Sequence, residues 1–284
     1  MNSPSIAIQS EIQPEKLDAL TRPVKAARSI PRAVIGMLLP LALIVFAETG
    51  VRTGLIPAHQ LPAPSEIVKT LSFLGEHDLL SHIAISSARV AAGFIFGASL
   101  AMMVGVLVAL SQRLDALLDP SFQALRAIPS LAWVPLLLLW LGIDEPPKLV
   151  LIAIGTFFPV YMGVVSGIRG VDRRLVEVGS LYRLTSFALA RRILLPAALP
   201  AIITGLRNGL SLAWMFMVAA ELIAASQGLG YLLTDGRETS RADIVMAAIV
   251  LLAVLGKVSD WGMELLERRL LAWRDTFTSE SQII

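Results

Sequence analysis

Residues 172–200, DRRLVEVGSLYRLTSFALARRILLPAALP, form a polar, arginine-rich segment set between long apolar runs. The contrast sets the fold class, because the flanking runs need a solvent other than water. Hydrophobic residues make up 55% of the 284 and charged residues only 16%, with mean hydropathy +0.71. One soluble domain cannot bury so much apolar surface, so a bilayer is the expected medium. Lys and Arg total 24 against 22 Asp and Glu, a net charge of +2 that argues against nucleic-acid binding, and no basic face interleaved with aromatics occurs. The chain has no Cys and 3 His, which excludes disulfides, thiolate metal sites and cysteine nucleophiles and leaves little for a histidine metal centre.

Six apolar runs are long enough to cross a hydrocarbon core of about 30 Å as helices: 33–54, 90–110, 122–141, 148–168, 201–224 and 244–263. Lipid offers the backbone no hydrogen-bond partners, so these runs predict an all-α integral membrane protein, and no strand alternation of the barrel kind is present. Arg and Lys collect in alternate connections: five in residues 1–32, six in the 169–192 region and Arg268, Arg269 and Arg274 near the C-terminus. The intervening connections are acidic or balanced. Retention of cations on the cytoplasmic side then places both termini in the cytoplasm. The expected organisation is a cytoplasmic tail (1–32), a six-span domain (33–264) and a second tail (265–284). The first span reads as a retained anchor, since a long polar segment precedes it and no cleavage pattern follows.

Within the opening segment, Asp172 predicts the cap of a short helix reaching about Tyr182, and Thr185 or Ser186 the cap of a second reaching Leu194, with Pro196 opening the next element. Two short helices form a knob whose Glu177 and arginines suit a polar socket on a soluble partner; the competing reading is an ordinary basic loop with snorkelling arginines.

The spacing resembles the EAA signature of binding-protein-dependent ABC importer permeases. Glu177 occupies the Glu position, and Ile193, Leu195 and Pro196 fall at the expected offsets. Val178 and Gly179 replace the two alanines, and Arg183 stands where Gly is usual. If that turn requires positive φ, a non-Gly residue costs about 1 kcal/mol unless the turn is rebuilt or Arg183 gains a compensating contact. Further segments, including LPAPSEIVKTL (61–71), LGIDEPPKL (141–149) and AELIAASQGLGYLL (220–233), are similar to the branch importing aliphatic sulfonates, with nitrate and taurine permeases as relatives.

The resemblance implies a type I (MetI-like) importer permease in the bacterial cytoplasmic (inner) membrane, non-catalytic and without a cofactor of its own. Two separate ATPase subunits would bind ATP, a second permease copy would complete a homodimeric pore, and an external solute-binding protein would deliver the substrate. It also implies that residues 172–196 couple to the ATPase, with Glu177, Val178, Gly179, Tyr182, Arg183, Leu184, Ile193, Leu195 and Pro196 at the contact. No Walker sequence occurs in the chain.

Arg207 lies about 16 Å along the fifth helix, counting from Pro196, and reads either as an anion-receiving pathway residue or as a structural pair. Asn208, Ser211 and Met215 share one helical face that either lines a pore or packs helices. Glu221, near the outer end, reads as a gate, as a contact for the binding protein, or as a solvated interfacial carboxylate. His59, His77 and His82 read as solvated-loop residues, and the glycines at 93, 97 and 105 as a packing stripe. Nitrate or taurine are the alternative substrates. A stand-alone secondary transporter would require inverted repeats or paired broken helices, and a membrane-embedded enzyme a catalytic set; the sequence displays neither.

Overall fold

The computed structural model describes residues 32–273; the expected tails at 1–31 and 274–284 lie outside the described residues. Helix α1 (Arg32–Arg52) is 21 residues long, enough at 1.5 Å per residue to traverse about 30 Å. It packs chiefly on the short α2 (Pro64–Gly75), where Glu48 accepts hydrogen bonds from Ser65 N at 3.0 Å and Ser65 Oγ at 2.8 Å. Helix α3 (Leu79–Leu110) begins well before the expected 90, and it carries Arg89 inside its apolar sequence.

The third expected span is corrected. Residues 122–141 do not form one helix: α4 (Gln112–Ala127) stops, and a one-turn 3-10 segment (Ser130–Trp133) leads into α5 (Val134–Leu141) at a bend of 89°. Pro129 has no N–H to donate and pushes Ile128 into an extended conformation (φ −76, ψ 123), so the hydrogen-bond ladder ends there.

After α6 (Glu145–Arg169) come α7 (Arg173–Leu181) and the single turn α8 (Ser186–Leu189). Pro196 stands at the start of the next long helix, as expected, but no break in the helical course precedes it. Helix α8 passes through a π turn (Ala190–Leu194) directly into α9 (Leu195–Ala224). A proline at this position cannot donate to the carbonyl four residues back and collides with it, and the wider π turn relieves that conflict without ending the helix. Helices α10 (Leu229–Glu238) and α11 (Ala242–Leu270) complete the described chain.

Among the described residues four helical stretches, α3, α6, α8 through α9, and α11, are long and apolar enough to cross a membrane, and the bent pair of α4 and α5 adds a fifth, so the all-α membrane class follows. Helix α6 is the central strut, packed along its length against α3 and α9. Lipid is as apolar as the side chains, so association depends on close van der Waals packing, and small residues permit it. A Cβ on Gly97 would lie 2.5 Å from the Ala153 carbonyl oxygen, and one on Gly205 would lie 3.1 Å from the Gly163 Cα. Ile152, Val160 and Val164 are fully buried in these seams, beside Ala101 and Ala213.

Candidate functional site

At the arginine-rich end, Asp172 caps α7 by accepting from the Arg174 amide at 2.9 Å, and Thr185 Oγ1 accepts from the Ala188 amide at 3.3 Å at the start of α8. The link between these helices is a Schellman turn. Leu184 N donates to Gly179 O at 3.2 Å and Arg183 N donates to Ser180 O at 2.9 Å, with Arg183 at φ +50. The turn is therefore not rebuilt around the missing glycine. Arg183 takes the left-handed conformation itself and has no side-chain partner among the described residues.

Gly179 is buried because α7 presses on the following helix: a Cβ there would meet Leu189 Cδ1 at 2.4 Å and Ile193 Cδ1 at 2.8 Å. Leu184 and Leu195 are half-buried beneath the knob, and Pro196 is exposed. Glu177 is solvated and, among the described residues, pairs only with Arg173, which is more exposed still, at 3.2 Å. Leu181, Tyr182 and Phe187 are 82%, 78% and 76% exposed, and Val178 is about half exposed. Such an apolar crest on a polar base is incomplete in water and suits a groove in another protein.

A cleft of 710 Å³ opens between the α4–α5 bend, α6 and α9. It divides the expected stripe on α9. Asn208 lines the cleft with Thr204 and Leu212, whereas Ser211 and Met215 are exposed beside it, the Ser211 hydroxyl donating to Arg207 O at 3.1 Å. Arg207 faces α11, where its guanidinium binds Asp260 at 2.8 Å and Glu267 at 2.9 Å. Trp214 Nε1 donates to Ser259 Oγ at 2.8 Å and fastens the same helix pair.

Glu221 requires correction. It is 1% exposed, so it neither touches an external protein nor sits in solvent. Its carboxylate accepts from Ser86 Oγ at 2.8 Å, Arg89 Nη1 at 2.8 Å and Gly230 N at 2.8 Å. Arg89 also donates to the Gln227 carbonyl at 2.7 Å and to Glu145, which holds Lys148 at 3.1 Å. One buried guanidinium thus ties α3, α6, α9 and the approach to α10 together. Gly228, at φ +123, lets the chain pass so close that a Cβ would lie 2.3 Å from Glu221 Oε2. His82 belongs to this assembly as well, accepting from Gly228 N at 2.8 Å through Nδ1 and stacking on Tyr231 with centroids 6.0 Å apart. The solvated-loop reading of His82 is corrected accordingly.

Two arginines escaped the sequence reading, and each had a signal. Arg89 is the one charged residue in the whole of Leu79–Leu110, and Arg126 the one charged residue in 122–141.

The descriptor "binding-protein-dependent transport system inner membrane component" matches residues 93–272, a stretch running from the packing stripe of α3 to the end of α11. The chain belongs to that family. Among curated relatives, an aliphatic sulfonates transport permease protein of Bacillus subtilis (strain 168) is 43% identical over 85% of this chain and 88% of its own. A like-named protein of Escherichia coli (strain K12) is 42% identical over 84% of this chain and 91% of its own. The taurine transport system permease protein of the same Escherichia coli strain is 33% identical, covering 75% of this chain and 80% of its own. A solved structure of the MetNI methionine ABC transporter, described as inward facing, superposes with TM-score 0.61 over 68% of this chain and 95% of that one. At 20% identity that likeness establishes the fold of this family member, a MetI-like arrangement of membrane helices.

Proposed function

We propose that this chain is the translocation subunit of an ABC importer for small anions, with aliphatic sulfonates as the substrate class. The observation that carries the reading is identity of 42–43% over more than four-fifths of the chain to two permeases named for aliphatic sulfonates. The arginine-rich end then faces the cytoplasm, with both termini, and the network around Glu221 lies at the outer face.

The knob formed by α7 and α8 is the coupling element. Its exposed Leu181, Tyr182 and Phe187 insert into a groove on each of two separate ATPase subunits, which bind the nucleotide, while Glu177 and the surrounding arginines align the contact. Nucleotide-driven closure of the ATPases moves the knobs, and because the knob continues through the π turn into α9, that motion reaches the cleft wall. A second copy of the chain closes the open side of the cleft, and an external solute-binding protein supplies the anion. A taurine or inorganic-anion importer is the second reading, favoured by the 33% identical taurine permease and by a bicarbonate permease at the same identity.

The deciding experiment purifies the complex by a tag on this chain, reconstitutes it in lipid, and measures ATP hydrolysis with binding proteins loaded with an alkanesulfonate, taurine or nitrate. The expected result is a copurifying ATPase stimulated most by the sulfonate-loaded protein. Absence of any copurifying ATPase and of ATP-dependent uptake would overturn the reading.

A further inference from the structure

Three arginines stand within the apolar helices away from their ends or at the central bend: Arg89, Arg126 and Arg207. A guanidinium at membrane depth is costly unless it is paired or serves a polar pathway. Arg89 is neutralised by Glu145 and Glu221, and Arg207 by Asp260 and Glu267. Among the described residues Arg126 forms no ion pair at all. It occupies the last turn of α4, where the negative end of the helix dipole favours its charge without cancelling it. The 89° bend at Pro129 then turns the following chain aside, and Arg126 faces the 710 Å³ cleft.

The other groups on the cleft wall divide by whether their donors are free. Ser166 Oγ donates to Met162 O at 2.6 Å and Thr204 Oγ1 donates to Pro200 O at 3.0 Å, so both hydroxyl protons are spent on their own helices. Ser130 and Asn208 have no side-chain hydrogen bond among the described residues, so their donors are unspent. No carboxylate lines the cleft, and Phe158, Met162 and Phe216 supply its apolar wall. A single cation, neutral donors and an apolar wall form a site for a monoanion with an alkyl tail. A cleft of this volume holds such a molecule with room to pass.

We propose that Arg126, supported by Ser130 and Asn208, is the anion-selecting station of the translocation cleft, receiving the sulfonate oxygens while the Phe158 and Phe216 wall takes the alkyl chain. This rests on the importer reading above and adds to it the site at which charge is read inside the membrane. The fork of the guanidinium suits two oxygens of a sulfonate at once, and the lack of a competing carboxylate leaves the site attractive to anions and repellent to cations.

The absence of native cysteine permits a direct test of charge. In the reconstituted complex with its binding protein, Arg126→Cys is compared with the parent and with Arg126→Lys for uptake of a labelled alkanesulfonate and for stimulated ATP hydrolysis. Arg126→Cys should lose about tenfold or more in uptake, the scale for removing a charged hydrogen-bond donor. Its stimulated hydrolysis should stay within about twofold of the parent, and Arg126→Lys should retain most uptake. A methanethiosulfonate reagent that attaches an aminoethyl group to the thiol should restore uptake several-fold, and its sulfonatoethyl counterpart should not. Uptake by Arg126→Cys within about twofold of the parent overturns the proposal. So does equal rescue, or equal failure to rescue, by the two reagents on a thiol shown to be modified. Joint loss of hydrolysis and uptake in both the Cys and Lys variants makes Arg126 structural and overturns it too. If the parent complex itself transports no anion, the importer reading has failed, a result separate from all of these.

Discussion

Arg183 and Glu221 show how single side chains bear on the two ends of the molecule. Arg183 sits at φ +50 in the Schellman turn between α7 and α8, a conformation costing an L-residue about 1–2 kcal/mol, and no contact among the described residues offsets it. Arg183→Gly should therefore stabilise the turn, less the extra unfolded-state freedom of glycine, leaving roughly 0.5–1 kcal/mol. Exchange of the Leu184 amide hydrogen, which closes the turn on Gly179 O, should slow about two- to fivefold; unchanged exchange would show that the strain is not there. At the other end, Glu221→Ala leaves the Arg89 guanidinium facing an empty buried acceptor site. The cost should be about 3–5 kcal/mol, read as a clear fall in the melting temperature of the detergent-solubilised protein. The double change Arg89→Met with Glu221→Leu should recover much of that loss, because it removes the two buried charges together while Glu145, half exposed, keeps Lys148. A double variant no better than Glu221→Ala alone would contradict the paired account.

The seams between helices make the next scale. Helices α6 and α9 approach where Gly163 faces Gly205, and a Cβ on Gly163 would lie 2.9 Å from Ala201 O, an atom of the backbone that cannot rotate away. Gly163→Ala should force the helices apart and destabilise by about 1–3 kcal/mol. Gly256→Ala on α11, where nothing lies within 4 Å, should be neutral or stabilising by up to about 1 kcal/mol through helix propensity. Thermal unfolding of the two variants side by side checks the contrast, and equal effects would refute it. Much of this architecture is legible in the sequence, because apolar runs of fixed length, basic connections and the glycine period of α3 are local signals. The 89° bend is less so: Pro129 is visible, yet an uninterrupted apolar count from 122 to 141 masks it. The network of Arg89, Glu145, Glu221 and Gly230 is illegible locally, since its members come from four helices and meet only after packing. Likewise, Arg207 looks like a pathway residue until α11 brings Asp260 and Glu267 beside it. The paired arginine and the unpaired one differ in nothing that their neighbours in sequence reveal.

Over the whole molecule, a buried polar clasp at one end and an exposed knob at the other are joined by α6 and by the continuous path from α8 through the π turn into α9. The clasp holds one end of α9 through Glu221, and the proposed coupling knob adjoins its other end, so a displacement of the knob would be expected to tilt α9 about the held end. Glu177 contributes little to the fold, since among the described residues its one ion pair is with Arg173 and both side chains are solvated. Exposed pairs of this kind contribute about 0–1 kcal/mol, so Glu177→Arg should leave expression, membrane insertion and melting temperature nearly unchanged. At the proposed ATPase contact, however, the substitution places a like charge among Arg173, Arg174 and Arg183 and opposes seating of the knob. ATP-dependent uptake by the reconstituted complex should fall at least about tenfold, and the ATPase should elute partly separated from the permease at moderate salt. Both effects should be relieved by a compensating acidic substitution in the ATPase groove. Uptake at the parent level in a correctly inserted Glu177→Arg variant would remove the knob from the coupling path and leave α9 without its driver.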